Sequence, residues 1–125
     1  MSDTYPKFFT VDEAARILGV EPARVRNWQL KKGLVTPVLT KGRLQFDRAA
    51  LARMAVLVRL QDVFGVLSEF PAQVVRERAE VIDHALDDLD RDFILVVVNH
   101  GEHGTYEIKV PLTKQLRDAI AAVPA

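Results

Sequence analysis

Between positions 22 and 32 the chain carries Arg24, Arg26, Asn27, Lys31 and Lys32 around its single tryptophan, Trp28, with no acidic residue among them. These residue types suit one kind of chemistry. Lysine and arginine neutralise phosphates, and arginine and asparagine make paired hydrogen bonds to guanine and adenine edges in the major groove of duplex DNA. A second basic group, Lys41 and Arg43, flanks Gly42. On an isolated helix such a set is an ordinary solvated face. What raises it to a candidate nucleic-acid surface is the framework around it.

That framework begins with Thr10-Val11-Asp12-Glu13, a capping box in which the Thr10 hydroxyl accepts from the Glu13 amide while the Glu13 carboxylate reaches back. A first helix follows over about Val11–Leu18, with Ala14, Ala15, Ile17 and Leu18 as its apolar face and Gly19 as its left-handed stop. Pro22 suits the first turn of a second helix, which runs to Lys32 before Gly33. Two short helices joined by a tight glycine turn, the second of them basic, make a helix-turn-helix. Leu34–Leu39 then reads as extended, Thr40–Arg43 as a basic turn, and Leu44–Phe46 as the returning strand, so the segment is expected to be a wing. Asp47 caps a third helix, Arg48 to about Phe64, whose Leu51, Met54, Ala55, Leu57, Val58, Leu60 and Phe64 supply the core.

Charge divides the chain. Residues 1–65 hold 11 Lys and Arg against 6 Asp and Glu, whereas residues 66–125 hold 6 against 11, so a polyanion prefers the first half although the net charge is zero. With no cysteine, disulfides and thiolate metal sites are excluded. The first residues lack the pattern of a signal peptide and no apolar run approaches the ~20 residues of a membrane span, so a cytoplasmic, nucleoid-associated protein is expected.

The run from Phe9 to Trp28, FTVDEAARILGVEPARVRNW, together with Lys32-Gly33-Leu34-Val35, resembles the MerR and excisionase-like winged-helix superfamily over about residues 8–67. The resemblance implies that Arg26 contacts DNA backbone or bases from the second helix, that Trp28 packs or touches phosphate nearby, and that Arg43 serves the wing. The expected DNA-contacting set is therefore Thr10, Arg24, Arg26, Asn27, Trp28, Lys31, Lys32, Lys41 and Arg43. Glu21 stands where the family usually has Ser or Thr, and places a negative charge close to where phosphate would lie.

After a boundary near residue 67, Ser68 and Pro71 mark a helix expected over about 71–90. Val75, Ala79, Ile82, Leu86 and Leu89 fall at heptad spacing on it, which predicts a dimerisation seam. An amphipathic helix packed on its own domain has the same pattern. Phe93–Val98 reads as a strand buried on both faces, and strands over about 93–99 and 105–110 form a hairpin around Asn99–Gly104. Thr113 caps a last helix, about 113–122, with Leu116 and Ile120 inward. The fold class is thus mainly α (α+β): a winged helix-turn-helix in residues 1–67, then a dimerisation or effector region in 68–125 consisting of a helix, a β-hairpin and a short C-terminal helix.

His84, His100, Glu102 and His103 are candidate metal ligands, but the last three sit in a histidine- and glycine-rich turn of ordinary solvated type, and no metal is assigned. No nucleophile–base grouping, glycine-rich phosphate loop or zinc-protease helix is present, so neither an enzymatic activity nor a cofactor is expected. The function expected is a sequence-specific transcriptional regulator of double-stranded DNA acting as a homodimer, with the acidic half a candidate surface for RNA polymerase or another protein. Its alternatives are a phage DNA-recognition component, such as a small terminase subunit or an excisionase-like factor, and a winged helix used for protein contacts.

Overall fold

A computed structural model describes residues 8–29, 34–35, 38–40, 43–99 and 101–121. Helix α1 spans Val11–Leu18 and its capping box forms in full, Glu13 N–H donating to the Thr10 hydroxyl at 3.2 Å and Thr10 N–H to the Glu13 carboxylate at 3.1 Å. Gly19, at φ 71°, closes the helix in the left-handed region that an L side chain resists. Helix α2 spans Pro22–Gln29. Because the cap satisfies two amides that would otherwise lack partners, Thr10→Ala is expected to lower stability by ~1 kcal/mol. A thermal melt checks this as a drop of a few degrees.

Strands β1 (Val38–Thr40) and β2 (Arg43–Gln45) pair antiparallel, with Thr40 opposite Arg43. Just beyond β2, Phe46 exchanges two backbone hydrogen bonds of 2.7 Å with Phe9, which fastens the entry to α1 onto the end of the hairpin. Both phenylalanines are buried. Asp47 then caps α3 (Arg48–Phe64), its carboxylate accepting from Ala50 N–H at 2.8 Å.

Helix α3 is buried around most of its circumference, from Ala50, Leu51 and Ala52 through Met54–Leu57 to Leu60 and Gln61. A helix apolar on most sides must be covered on most sides. Here α1 packs on one flank, while the second half of the chain contributes α4 (Phe70–Glu77), α5 (Ala79–Ala85), strand β4 (Thr105–Pro111) and α6 (Lys114–Ala121) on the others. The buried apolar side chains form one cluster running from Phe9 to Ile120, so the two charge-distinct halves share a core.

The second half departs from the sequence expectation in two places. Where one helix was expected over about 71–90, the chain breaks at Arg78 (φ −107°, ψ 16°), and α5 ends at Ala85. The break turns the heptad positions inward: Val75, Ile82 and Leu86 are buried in the protomer's own core, with Ala79 half-buried and Leu89 packed against the cluster. Heptad spacing cannot distinguish a seam between copies from a stripe spent within one, and here α3 takes the stripe. Arg53 of α3 fixes α5 there by two hydrogen bonds to Asp83, at 2.6 and 3.1 Å.

The second departure is β3 (Phe93–Asn99), which pairs antiparallel with β4 from Phe93 opposite Pro111 to Asn99 opposite Thr105. It is covered on one face only. Ile94, Val96 and Val98 are buried, whereas Leu95 and Val97 are 38% and 42% exposed. A two-stranded sheet with helices on one side alternates in burial even where its sequence does not. Helix α6 begins with Thr113 accepting from Leu116 N–H at 3.2 Å, and buries Leu116 and Ile120.

Candidate nucleic-acid interface

Helix α2 has two sharply different faces. Val25 and Trp28 are buried, at 0% and 2% exposure. Ala23, Arg26 and Asn27, at helical spacings of three and four, are exposed. The tryptophan anchors the helix by its ring and leaves the small residue, the guanidinium and the amide facing outward.

Arg26, with 61% of its side chain exposed, lies 3.9 Å from Asp12 of α1. An ion pair this open contributes little to stability and is readily exchanged for a phosphate. Asn27 is exposed beside it. Arg16 adds a further exposed cation on α1, close in sequence to the α1–α2 turn.

The expected DNA-contacting residues do not all share this face. Trp28 is enclosed, so its ring cannot meet a base or a phosphate. Arg24 is half-buried and turns back into the protein: its Nη2 donates to Oε1 of Gln61 on α3, and its guanidinium lies 5.6 Å from the centre of the Trp28 ring. Its buried Nε has no hydrogen-bond partner among the described residues. Arg24 is thus a strut between α2 and α3, and the cation–π contact supports it. Position explains the difference, since Arg24 stands four residues before Trp28 and one before Val25, on the flank of the buried stripe. The Thr10 hydroxyl is engaged in the α1 cap. Lys31, Lys32 and Lys41 lie outside the described residues, as does the side chain of Arg43, whose backbone belongs to β2.

Sequence reasoning missed Gln61, the only polar residue among the described residues that the core buries, at 7% exposure. A glutamine in the middle of an apolar helix was the available signal, because a buried amide needs a partner. Asp12, the exposed neighbour of Arg26, shows in the sequence only as part of the capping box.

Residues 9–68, just under half of the chain, match the model of the MerR HTH family regulatory protein. No curated protein and no solved structure matches the chain. Among the described residues no helix is long and apolar enough to cross a membrane. The capped α1, the Gly19 turn, the two-faced α2, the β1–β2 hairpin and the supporting α3 all fall inside the matched segment, and over residues 9–68 the chain is similar to the helix-turn-helix regulators of the MerR family.

Proposed function

We propose that this protein is a transcriptional regulator that recognises double-stranded DNA with α2 in the major groove, the β1–β2 hairpin acting as a wing against the adjacent backbone. The observation that carries the reading is the outward face of α2. Arg26 and Asn27 are exposed together while Val25 and Trp28 hold the helix from behind. Arginine and asparagine offer bidentate donors and acceptors to guanine and adenine edges. The basic residues Lys31, Lys32, Lys41 and Arg43 add the cations that phosphate neutralisation requires, and the excess of positive charge in residues 1–65 supports the same polarity.

A single helix-turn-helix of this size covers one half-site. Two copies on a pseudo-palindrome supply the affinity and the specificity that one lacks, which favours a homodimer at work in the cytoplasm on the nucleoid. Nucleophile, base and cofactor groupings have no part in this activity, and we assign the protein no catalytic role.

The test is a titration against duplexes selected from genomic fragments by the protein itself. Affinity is expected to fall by ~10³-fold or more between 50 and 200 mM salt, as it does when about six phosphates are neutralised. Salt-insensitive association, or no retention of any duplex even at low ionic strength, would mean that the domain serves protein contacts instead.

A further inference from the structure

The β3–β4 hairpin has two outer edges, and the structure treats them differently. One bond sets their parity. Leu112 N–H donates to the Asp92 carbonyl at 2.9 Å, directly before the register in which Phe93 faces Pro111. Even-numbered residues of β3 therefore bond to β4, and the N–H and C=O groups of Phe93, Leu95, Val97 and Asn99 point away from it. The same parity turns the Lys109 carbonyl outward on β4, and there Arg59 of α3 donates to it at 3.3 Å. On β3 no such cover exists: among the described residues, no further backbone hydrogen bond reaches Leu95 or Val97 from outside the hairpin.

An open strand edge is ordinarily blunted by charge, proline or a bulge. Phe93–Val98 has no charge and no proline, and its pairing with β4 is unbroken. Beside Ile94 and Leu95 lies a groove of about 270 Å³, bordered across the gap by Val81, His84 and Ala85 of α5. Val81 is 49% exposed there, so apolar surface flanks the unpaired edge as well as lying on it.

We propose that β3 pairs with β3 of a second copy of this chain, antiparallel about a two-fold axis at Val96, to give a continuous four-stranded sheet. A two-fold pairing must be self-complementary, and this one is. Leu95 falls opposite Val97, Ile94 opposite Val98, and Phe93 opposite Asn99, so all seven residues of the strand pair. The core-facing set stays on one side of the sheet, and the exposed Leu95 and Val97 join their counterparts in one apolar stripe on the other. The inference deepens the dimeric reading proposed above and rests on it, since it says which surface does the pairing now that Val75, Ile82 and Leu86 are spent in the core.

Sedimentation of the full chain tests it. The wild type is expected at twice its 14.0 kDa. The double variant Leu95→Lys/Val97→Lys, altered only at exposed positions, is expected at the monomer mass with its circular dichroism unchanged, because like charges then meet across the axis and weaken pairing by ~100-fold or more. A second measurement does not depend on that variant folding. The chain has no cysteine, so a mixture of Leu95→Cys and Val97→Cys proteins under mild oxidation should cross-link between unlike copies, whose Cα atoms at a hydrogen-bonded pair stand ~5.5 Å apart, within disulfide reach. A wild type that stays monomeric at every concentration overturns the proposal, as does the absence of that cross-link. So does a folded lysine variant that sediments like the wild type. Binding to a selected duplex separates the two readings. A β3-paired dimer that retains no DNA refutes the proposed function alone, and a DNA-binding dimer indifferent to the lysines refutes the β3 interface alone.

Discussion

Arg26→Ala is expected to weaken binding to a selected duplex by ~10- to 100-fold while leaving the melting temperature unchanged, and Arg24→Ala is expected to do the reverse. The two residues are separated by one position on the same helix, and both are arginines in the matched segment. Their surroundings decide the contrast. Arg26 is mostly in water, and its contact with Asp12, at 3.9 Å between two exposed side chains, costs little to lose. What alanine removes there is a charged, bidentate donor on the exposed face of α2, a loss of ~1–3 kcal/mol if it reads a base edge. Should Arg26 meet phosphate instead, the loss is uniform across sequences and the salt slope falls by about 1. Arg24 is held by Gln61 and by the Trp28 ring. Its removal leaves the buried Gln61 amide without its charged donor, a cost of ~1–3 kcal/mol to folding. A gel-shift titration beside a thermal melt of both variants checks the pair. Equal losses of affinity with equal stability would refute the strut assigned to Arg24 and return it to the interface.

The first half was legible in the sequence because its signals are local. Thr10 and Glu13 are three residues apart, Gly19 needs only its own backbone, and Pro22 and Asp47 mark helix starts by their own chemistry. Helices α1, α2 and α3 begin where those residues say they should. The direction in which Arg24 points was not legible, since it depends on Gln61, which is 37 positions away. Neither was the fate of the heptad positions. Val75, Ala79, Ile82, Leu86 and Leu89 carry an apolar period that any partner could satisfy, and only the packing of α4 and α5 on α3 shows that the partner is the same chain. No proline or glycine announces the break at Arg78. For β3, a run of apolar residues concealed an alternation that arises only because helices cover one face of the hairpin. In each case the missing information was a long-range contact.

Trp28→Ala is expected to have the largest effect on folding, a loss of ~3–5 kcal/mol measured by denaturant titration. The ring is the largest fully buried side chain among the described residues, at 2% exposure, in the same cluster as Val25, Phe9, Phe46 and Leu34. Few contacts are available to compensate, because the residue packs from a helix of eight residues with one other buried position. A short helix takes its stability from tertiary packing rather than from its own propensity, and the ring also supports the Arg24 guanidinium. Domains of this size are stable by only ~5–15 kcal/mol in total, so such a loss leaves a substantial unfolded fraction on warming. Trp28→Phe separates anchoring from recognition. It retains a buried aromatic ring and should recover most of the stability, and DNA affinity should recover in proportion to the folded fraction. If instead Trp28→Phe folds fully yet binds duplexes as weakly as Arg26→Ala, the indole itself touches the nucleic acid, and the division of α2 into a buried anchor and an exposed reading face is wrong.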